Sequence, residues 1–172
     1  MSAIGKASGK IILMGEHSVV YGQPAIAMPF SAVEIIAKVT AQGEALSVDC
    51  DFYKGLVHKM PKIWESLKHA IRFSLHRIGA PTDPAIHIKI SSTIPAERGM
   101  GSSAAVAVAV ARALFAHYEK ILTDKELWEI VQSSEKIAHG NPSGIDAATT
   151  SGKSPVFFIK NQPMEPLELK LS

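Results

Sequence analysis

The sequence carries a glycine-serine turn whose residue types suit the binding of a phosphate group. It comprises Gly99, Met100, Gly101, Ser102 and Ser103. The glycines lack a Cβ, so the backbone can take positive φ values and approach a ligand closely. A helix that follows the turn would direct free N–H groups and its positive dipole end at an anion. An ordinary loop with a serine N-cap is the alternative, but the strand predicted before the turn and the small-residue helix predicted after it favour phosphate binding.

A second string, AATTSGKS at residues 147–154, resembles a relaxed phosphate loop of the Walker type. A true loop of that type follows a strand and opens a helix. Here Pro155 and a predicted strand at residues 156–159 follow the string, and its strict first glycine is missing. We therefore interpret this match as a coincidence.

Two further segments carry charged residues that could act on a phosphoryl group or its acceptor. Residues 9–22 read GKIILMGEHSVVYG, and residues 135–146 read EKIAHGNPSGID. The candidate residues within them are Lys10, Glu16, His17, Glu135 and Asp146.

Each candidate also has an ordinary structural interpretation. Lys10 could be a solvated surface charge, and Glu16 and His17 could be turn residues. Glu135 lies at the edge of the apolar face of its predicted helix, where a carboxylate is usually exposed, and Asp146 could stabilise a helix start. Their occurrence together with the glycine-serine turn favours the functional interpretation.

The three segments together resemble the GHMP kinases, which include galactokinases, homoserine kinases, mevalonate kinases and phosphomevalonate kinases. Within that family, the strings Glu-His-x-Val-Val-Tyr-Gly and Glu-x-x-x-His-Gly-x-Pro-Ser-Gly-Ile-Asp are similar to those of the mevalonate kinases. The resemblance implies an enzyme that phosphorylates mevalonate to 5-phosphomevalonate in isoprenoid biosynthesis. It also implies ATP and Mg²⁺ as cofactors and mevalonate as the small-molecule partner.

The resemblance implies a role for each matching residue. Asp146 would be the catalytic base toward the substrate hydroxyl, and Lys10 would neutralise charge near that hydroxyl and the transferred phosphoryl group. Ser103 and Glu135 would hold magnesium, which prefers few protein ligands. Such a set supplies the positioning and charge neutralisation that phosphoryl transfer requires.

The acceptor and nucleotide sites follow from the same resemblance. Glu16 and His17 would shape the mevalonate site. The residues that would cradle the nucleotide phosphates are Gly99, Met100, Gly101, Ser102 and Ser103. The sequence departs from the family at Ser8, where proline is common, and at Met100, where leucine is common.

Family members continue into a second domain with a further glycine-rich motif, whereas this chain stops at Ser172. We therefore expect residues 1–172 to be the N-terminal ATP- and substrate-binding domain of such a kinase, lacking the C-terminal domain. Two alternatives stay open: a non-catalytic nucleotide-binding domain, and a related GHMP kinase such as phosphomevalonate kinase. The sequence does not determine whether this chain alone is active.

The elements that must position these residues alternate irregularly along the chain. Strands are predicted at residues 10–14, 33–40, 86–90 and 156–159, and helices at 61–79, 104–117 and 124–139, with a short helix that carries Asp146. Thr123 and Glu126 form a capping box for the third helix, and Gly140 ends it. This order favours an α+β fold over a doubly wound sheet. The resemblance adds a ribosomal-protein-like fold with an unusual left-handed βαβ unit.

Composition limits the number of domains, the kinds of partner and the cellular location that fit the sequence. The 172 residues suit one domain, and the 47% hydrophobic content allows a sizeable core. The net charge of +2 comes from scattered lysines and arginines, which argues against a nucleic-acid partner. We expect a cytoplasmic protein without a membrane partner, because Cys50 is the only cysteine and the apolar run at residues 104–111 is too short to span a bilayer. The sequence leaves open whether the chain forms a homodimer.

Overall fold

The computed structural model describes residues 2–93, 101–163 and 165–167. Gly99 and Met100 of the predicted phosphate loop lie outside the described residues, so their roles stay predictions. The strands are β1 (Ser2–Met14), β2 (Ala25–Thr40), β3 (Ser47–Cys50), β4 (Tyr53–Leu56), β5 (His87–Ser92), β6 (Val156–Phe158) and β7 (Glu165–Pro166). The α-helices are α1 (Glu65–Ile78), α2 (Ser102–His117), α3 (Asp124–His139) and α4 (Ile145–Ser151), and short 3₁₀ helices span Ser18–Tyr21, Val57–Lys59 and Lys62–Trp64.

The described strands form one sheet around β2. Its order is β4-β3-β5-β2-β6-β7, and β1 also pairs with β2. Among the described strands, only β3 and β5 pair in parallel, and the chain between them includes α1. The predicted α+β class is confirmed. The chain from β3 to β5 is a βαβ unit, and its left-handed crossover stays a prediction.

Small residues let α2 lie directly against the sheet. On β1, Gly5, Ala7 and Gly9 are buried at alternating positions, as the two-residue period of a strand requires. A Cβ added at Gly5 would lie 2.1 Å from the carbonyl oxygen of Ala109 on α2, so a larger side chain could not be accommodated there. The helix packs against β1, β2, α1, α3 and α4 and is buried almost all round.

The helix boundaries largely follow the sequence signals. Both hydrogen bonds of the capping box between Thr123 and Glu126 are present at the start of α3, and Gly140 ends it. The predicted helix at residues 61–79 begins later, at Glu65, because its first turn is a 3₁₀ helix, and it ends at Gly79 with a φ of 77°. Helix α2 begins two residues earlier than predicted, at Ser102.

The strands depart further from the sequence-based prediction. The strands predicted at residues 10–14 and 33–40 are the ends of two much longer strands, β1 and β2, which pair along most of their lengths. Their register shifts between Ser8 and Gly9, because Ser31, Ala32 and Val33 bulge from β2. Strands β3 and β4 were not predicted. Within the described residues, no helix is both long and apolar enough to cross a membrane.

Candidate active site

Most of the residues predicted to do chemistry converge on one cleft of about 480 Å³. The cleft is enclosed by β1, the first turn of α2, the end of α3 and the turn that leads into α4. Seven of the predicted site residues line it, namely Lys10, Glu16, Gly101, Ser102, Ser103, Glu135 and Asp146. Segments separated by more than a hundred residues in sequence thus form one site.

Lys10 and Asp146 form an ion pair in this cleft. Lys10 Nζ lies 2.8 Å from Asp146 Oδ1, and the lysine side chain is only 5% exposed, whereas that of Asp146 is 29% exposed. The interpretation of Lys10 as a solvated surface charge is therefore wrong. The buried ammonium needs an anionic partner. Asp146 provides one while its carboxylate stays partly open to the cleft.

Gly101 is the N-cap of α2 and lies against Lys10. Its φ of 68° confirms the predicted positive value. A Cβ at this position would lie 2.8 Å from Cγ of Lys10 and 3.2 Å from Cγ2 of Thr150. The glycine is thus required both by its backbone conformation and by the close approach of the turn to Lys10.

Helix α2 begins in the cleft and therefore offers its N-terminus to a ligand. Ser102 is exposed there and Ser103 is half-buried. The first four N–H groups of a helix have no intrahelical acceptor, so the site favours an anion. The local arrangement thus agrees with the predicted phosphate-binding role of this turn.

Glu135 is almost fully buried, with 1% of its surface exposed. Burial raises the pKa of its carboxyl group, and the hydrogen bond with Ser103 and the charge of His139 offset part of the rise. Nearby Asp146 also raises this pKa and Lys10 lowers it. The expectation that a carboxylate at this edge of the helix would be exposed is wrong, because α2 and α4 both pack against α3.

The surroundings of Glu135 fit a magnesium ion. Its Oε1 atom is buried and has no hydrogen-bond partner among the described residues. No group of three or more His, Cys, Asp or Glu side chains in the described ranges could hold a metal ion. Mg²⁺, however, commonly takes one or two carboxylates and completes its shell with water and phosphate oxygens. A carboxylate that has one unpartnered oxygen and a hydrogen bond with the Ser103 hydroxyl meets that requirement.

The two residues predicted for the acceptor site differ in position. Glu16 lines the cleft. His17 is exposed and is not among the described residues that line it. The structure thus brings Glu16, but not His17, to the cleft.

A second cavity, of about 370 Å³, meets the cleft at Ser102 and Ser103. Its walls are largely apolar and include Trp64 and Phe52, whose rings are stacked with centroids 6.2 Å apart. Phe52 belongs to the turn between β3 and β4 and is 72% exposed. This cavity was not predicted from the sequence, because the turn carries no motif.

Two further lining residues were assigned no role from the sequence. His139 Nε2 lies 3.6 Å from Glu135 Oε2 and 3.4 Å from Ser103 Oγ. Its spacing of four residues from Glu135 on a helix was the available signal. Gln132 Oε1 is buried without a hydrogen-bond partner in the part of the chain that the structure describes.

The second phosphate-loop string does not form such a loop. Its first five residues, 147–151, lie within α4, and Gly152 ends that helix. The next regular element is strand β6, so the string does not open a helix. Its interpretation as a coincidence is confirmed.

The sequence of this chain is similar to those of known proteins. The family described as GHMP kinases N terminal domain matches residues 64–153. The mevalonate kinase of Pyrococcus horikoshii is 32% identical over an alignment of 187 positions, which covers 95% of this chain and 53% of that protein. The chain therefore spans about half the length of the curated relatives it matches.

Solved structures show the same fold. The Methanococcus jannaschii mevalonate kinase superposes with a TM-score of 0.84 at 24% identity, over 99% of this chain and 57% of that one. The mevalonate kinase from methicillin-resistant Staphylococcus aureus is 40% identical, with a TM-score of 0.74 over 97% of this chain and 55% of that one.

Proposed function

The chain belongs to the GHMP kinases, and from that membership we propose that it transfers the terminal phosphoryl group of ATP to the 5-hydroxyl of mevalonate. The observation that carries the proposal is the ion pair between Lys10 and Asp146, held against the N-terminus of α2 in a cleft that also contains Glu135. Mevalonate is chosen as acceptor because the P. horikoshii relative and the S. aureus structure are both mevalonate kinases.

In this proposal Asp146 accepts the proton of the acceptor hydroxyl. Its partly exposed carboxylate is open to the cleft, whereas the side chain of Lys10 is buried and lies against Gly101. The ammonium group of Lys10 offsets negative charge near the reacting oxygen. Positioning and charge neutralisation of this kind account for most of the catalysis of phosphoryl transfer.

The start of α2 holds the nucleotide phosphates. Ser102 and Ser103 offer hydroxyl and backbone N–H groups there, and Gly101 lets the backbone approach the phosphates. Ser103 and Glu135 would hold magnesium, which, when bound, neutralises charge on the phosphate oxygens. Glu135 is ionised more readily when a cation lies nearby, which offsets the effect of its burial.

The apolar cavity takes the base of the nucleotide. It shares Ser102 and Ser103 with the cleft, so a ligand whose phosphates lie on the turn can extend into it. Trp64 and Phe52 supply aromatic faces, on which a base can stack. The acceptor then occupies the remaining cleft beside Glu16. The role of His17 in binding the acceptor stays a prediction.

We also propose a cytoplasmic location. Its support is Cys50, the single cysteine of the sequence, which is free. A protein without disulfides suits a reducing compartment.

Calorimetric titration with a non-hydrolysable ATP analogue and magnesium, followed by mevalonate, tests the proposal as binding. We expect both ligands to bind, and Phe52→Ala to weaken nucleotide binding about tenfold through lost stacking. Ile121→Ala, which removes an exposed apolar side chain that lines neither cavity, is the matched control and should bind like the wild type. Failure of the analogue to bind would overturn the nucleotide site, and wild-type affinity in Phe52→Ala would exclude stacking of the base on Phe52.

A further inference from the structure

A third cavity, of about 300 Å³, shares none of its described lining residues with the cleft or the apolar cavity. It is formed by β1 around Lys6 and Ser8, the bulged part of β2, Arg112 on α2 and the chain at the end of α4. Its volume is at the lower end of the range for small-molecule sites. No role predicted from the sequence falls on its residues.

The charges of this cavity are unbalanced. Its described lining carries three basic side chains, Lys6, Arg112 and Lys153, against one carboxylate, Glu34. Lys6 Nζ lies 3.7 Å from Glu34 Oε2, but both side chains are well exposed, at 61% and 41%. Such an exposed pair is weak, and both groups can turn to another partner. The excess positive charge therefore favours an anionic ligand.

Arg112 is fixed at the inner wall of the cavity. Its Nη1 and Nη2 atoms each donate a hydrogen bond of 2.7 Å to a backbone carbonyl, of Lys6 and Ser151 respectively. A guanidinium group has five N–H donors. Two donors hold the side chain in place, and others remain for a ligand. Burial lowers the pKa of Arg112, the charge of Asp124 offsets part of that shift, and a further anion in the cavity would stabilise the charged form.

Hydroxyl groups complete the lining. Ser8 on β1 and Ser31 in the bulge of β2 border the cavity, whereas the hydroxyl of Thr150, which also borders it, donates to the carbonyl of Asp146. The bulge opposite Ser8 and Gly9 interrupts the regular pairing of β1 with β2 at this point. Hydroxyls beside a fixed guanidinium and mobile ammonium groups are the donors that recognise phosphate oxygens.

We propose that this cavity binds a diphosphate group. Arg112 offers a rigid donor at the inner wall, and Lys6 and Lys153 are placed at the rim to neutralise a second phosphate. A diphosphate carries more charge than a single phosphate and uses all three cations. This site is independent of the cleft, where the start of α2 would hold the nucleotide.

Titration calorimetry with pyrophosphate, without magnesium, tests this assignment. Lys6→Ala/Lys153→Ala removes two exposed cations and leaves Arg112 and its two backbone hydrogen bonds in place. Lys59→Ala/Lys125→Ala makes the same change in net charge at exposed positions outside the cavity. We expect the wild type and this control to bind alike, and the Lys6/Lys153 variant to lose one class of pyrophosphate site or to bind there at least about tenfold more weakly.

Equal stoichiometry and affinity in all three proteins would overturn the proposal. Glu34→Gln should tighten pyrophosphate binding severalfold, because it removes the carboxylate of the cavity, and unchanged affinity would place the anion elsewhere. Inorganic phosphate should bind the wild-type cavity more weakly than pyrophosphate, and equal affinity would contradict the diphosphate assignment. The ATP analogue should bind the Lys6/Lys153 variant like the wild type, so this test is separate from that of the cleft.

Discussion

The ammonium group of Lys10 lies 2.8 Å from Oδ1 of Asp146, although strand β1 and helix α4 are far apart in the sequence. The first prediction follows from this pair. Asp146→Ala should lower turnover at least about a hundredfold, as expected for loss of a general base, while nucleotide binding survives. Steady-state kinetics and nucleotide titration of the same preparation measure both effects. Near-normal turnover would remove Asp146 from the role of base.

The second prediction concerns the hydroxyl of Ser103. Ser103→Ala should raise the magnesium concentration needed for half-maximal activity severalfold, because the hydroxyl forms a hydrogen bond with the carboxyl group of Glu135, whose other oxygen has no partner among the described residues. Ser154→Ala, an exposed serine outside the cavities described, is the matched control. Magnesium dependence identical in the two variants would contradict a role for Ser103 at the metal.

The third prediction is a pH effect at Glu135, whose pKa is raised by burial. A carboxyl group with a raised pKa in the folded state contributes stability that is complete below its unfolded pKa, about 4.5. That stability is lost as pH rises through the folded pKa. Without magnesium, the Tm of Glu135→Gln should therefore rise relative to that of the wild type as pH increases. The expected rise is about 2–4 °C for each kcal/mol of difference in the free energy of unfolding.

Thermal unfolding of both proteins between about pH 4.5 and pH 8 measures this difference. Glu44→Gln, at an exposed position, is the control and should follow the wild type. Parallel curves for Glu135→Gln and the wild type would contradict the raised pKa.

The fourth prediction separates backbone strain from close approach at Gly101. Gly101→Ala should destabilise the protein by about 1–2 kcal/mol through its positive φ, and should also lower turnover by displacing Lys10. Gly79→Ala is the matched control, because its φ is +77° but no atom of the described residues lies within 4 Å of the added Cβ. The control should lose stability only. Equal turnover in the two variants would show that the contact with Lys10 does not matter for catalysis.

Local signals in the sequence predicted part of this site well. The capping box at Thr123 and the positive φ of Gly101 depend on neighbouring residues, and both were confirmed. The burial of Glu135 was not predictable from the period of its helix. It depends on α2 and α4, which pack against α3 from distant parts of the chain.

The sheet was predicted less well for a related reason. Strand β2 continues through Pro29 and a three-residue bulge, which interrupt the alternation that marks a strand. The turn at Asp51 and Phe52 between β3 and β4 lacks the glycine or asparagine that usually marks a tight hairpin. The apolar cavity beside that turn was missed for the same reason.

Release of ADP from magnesium-ATP in the presence of different acceptors tests the central claim most directly. The chain is assayed with mevalonate, galactose, homoserine and phosphomevalonate, and Asp146→Ala serves as the blank. We predict that mevalonate alone stimulates release by the wild type and that the variant shows none. Stimulation by another acceptor instead of mevalonate would contradict the assigned substrate, and no stimulation by any acceptor would contradict catalysis by this chain.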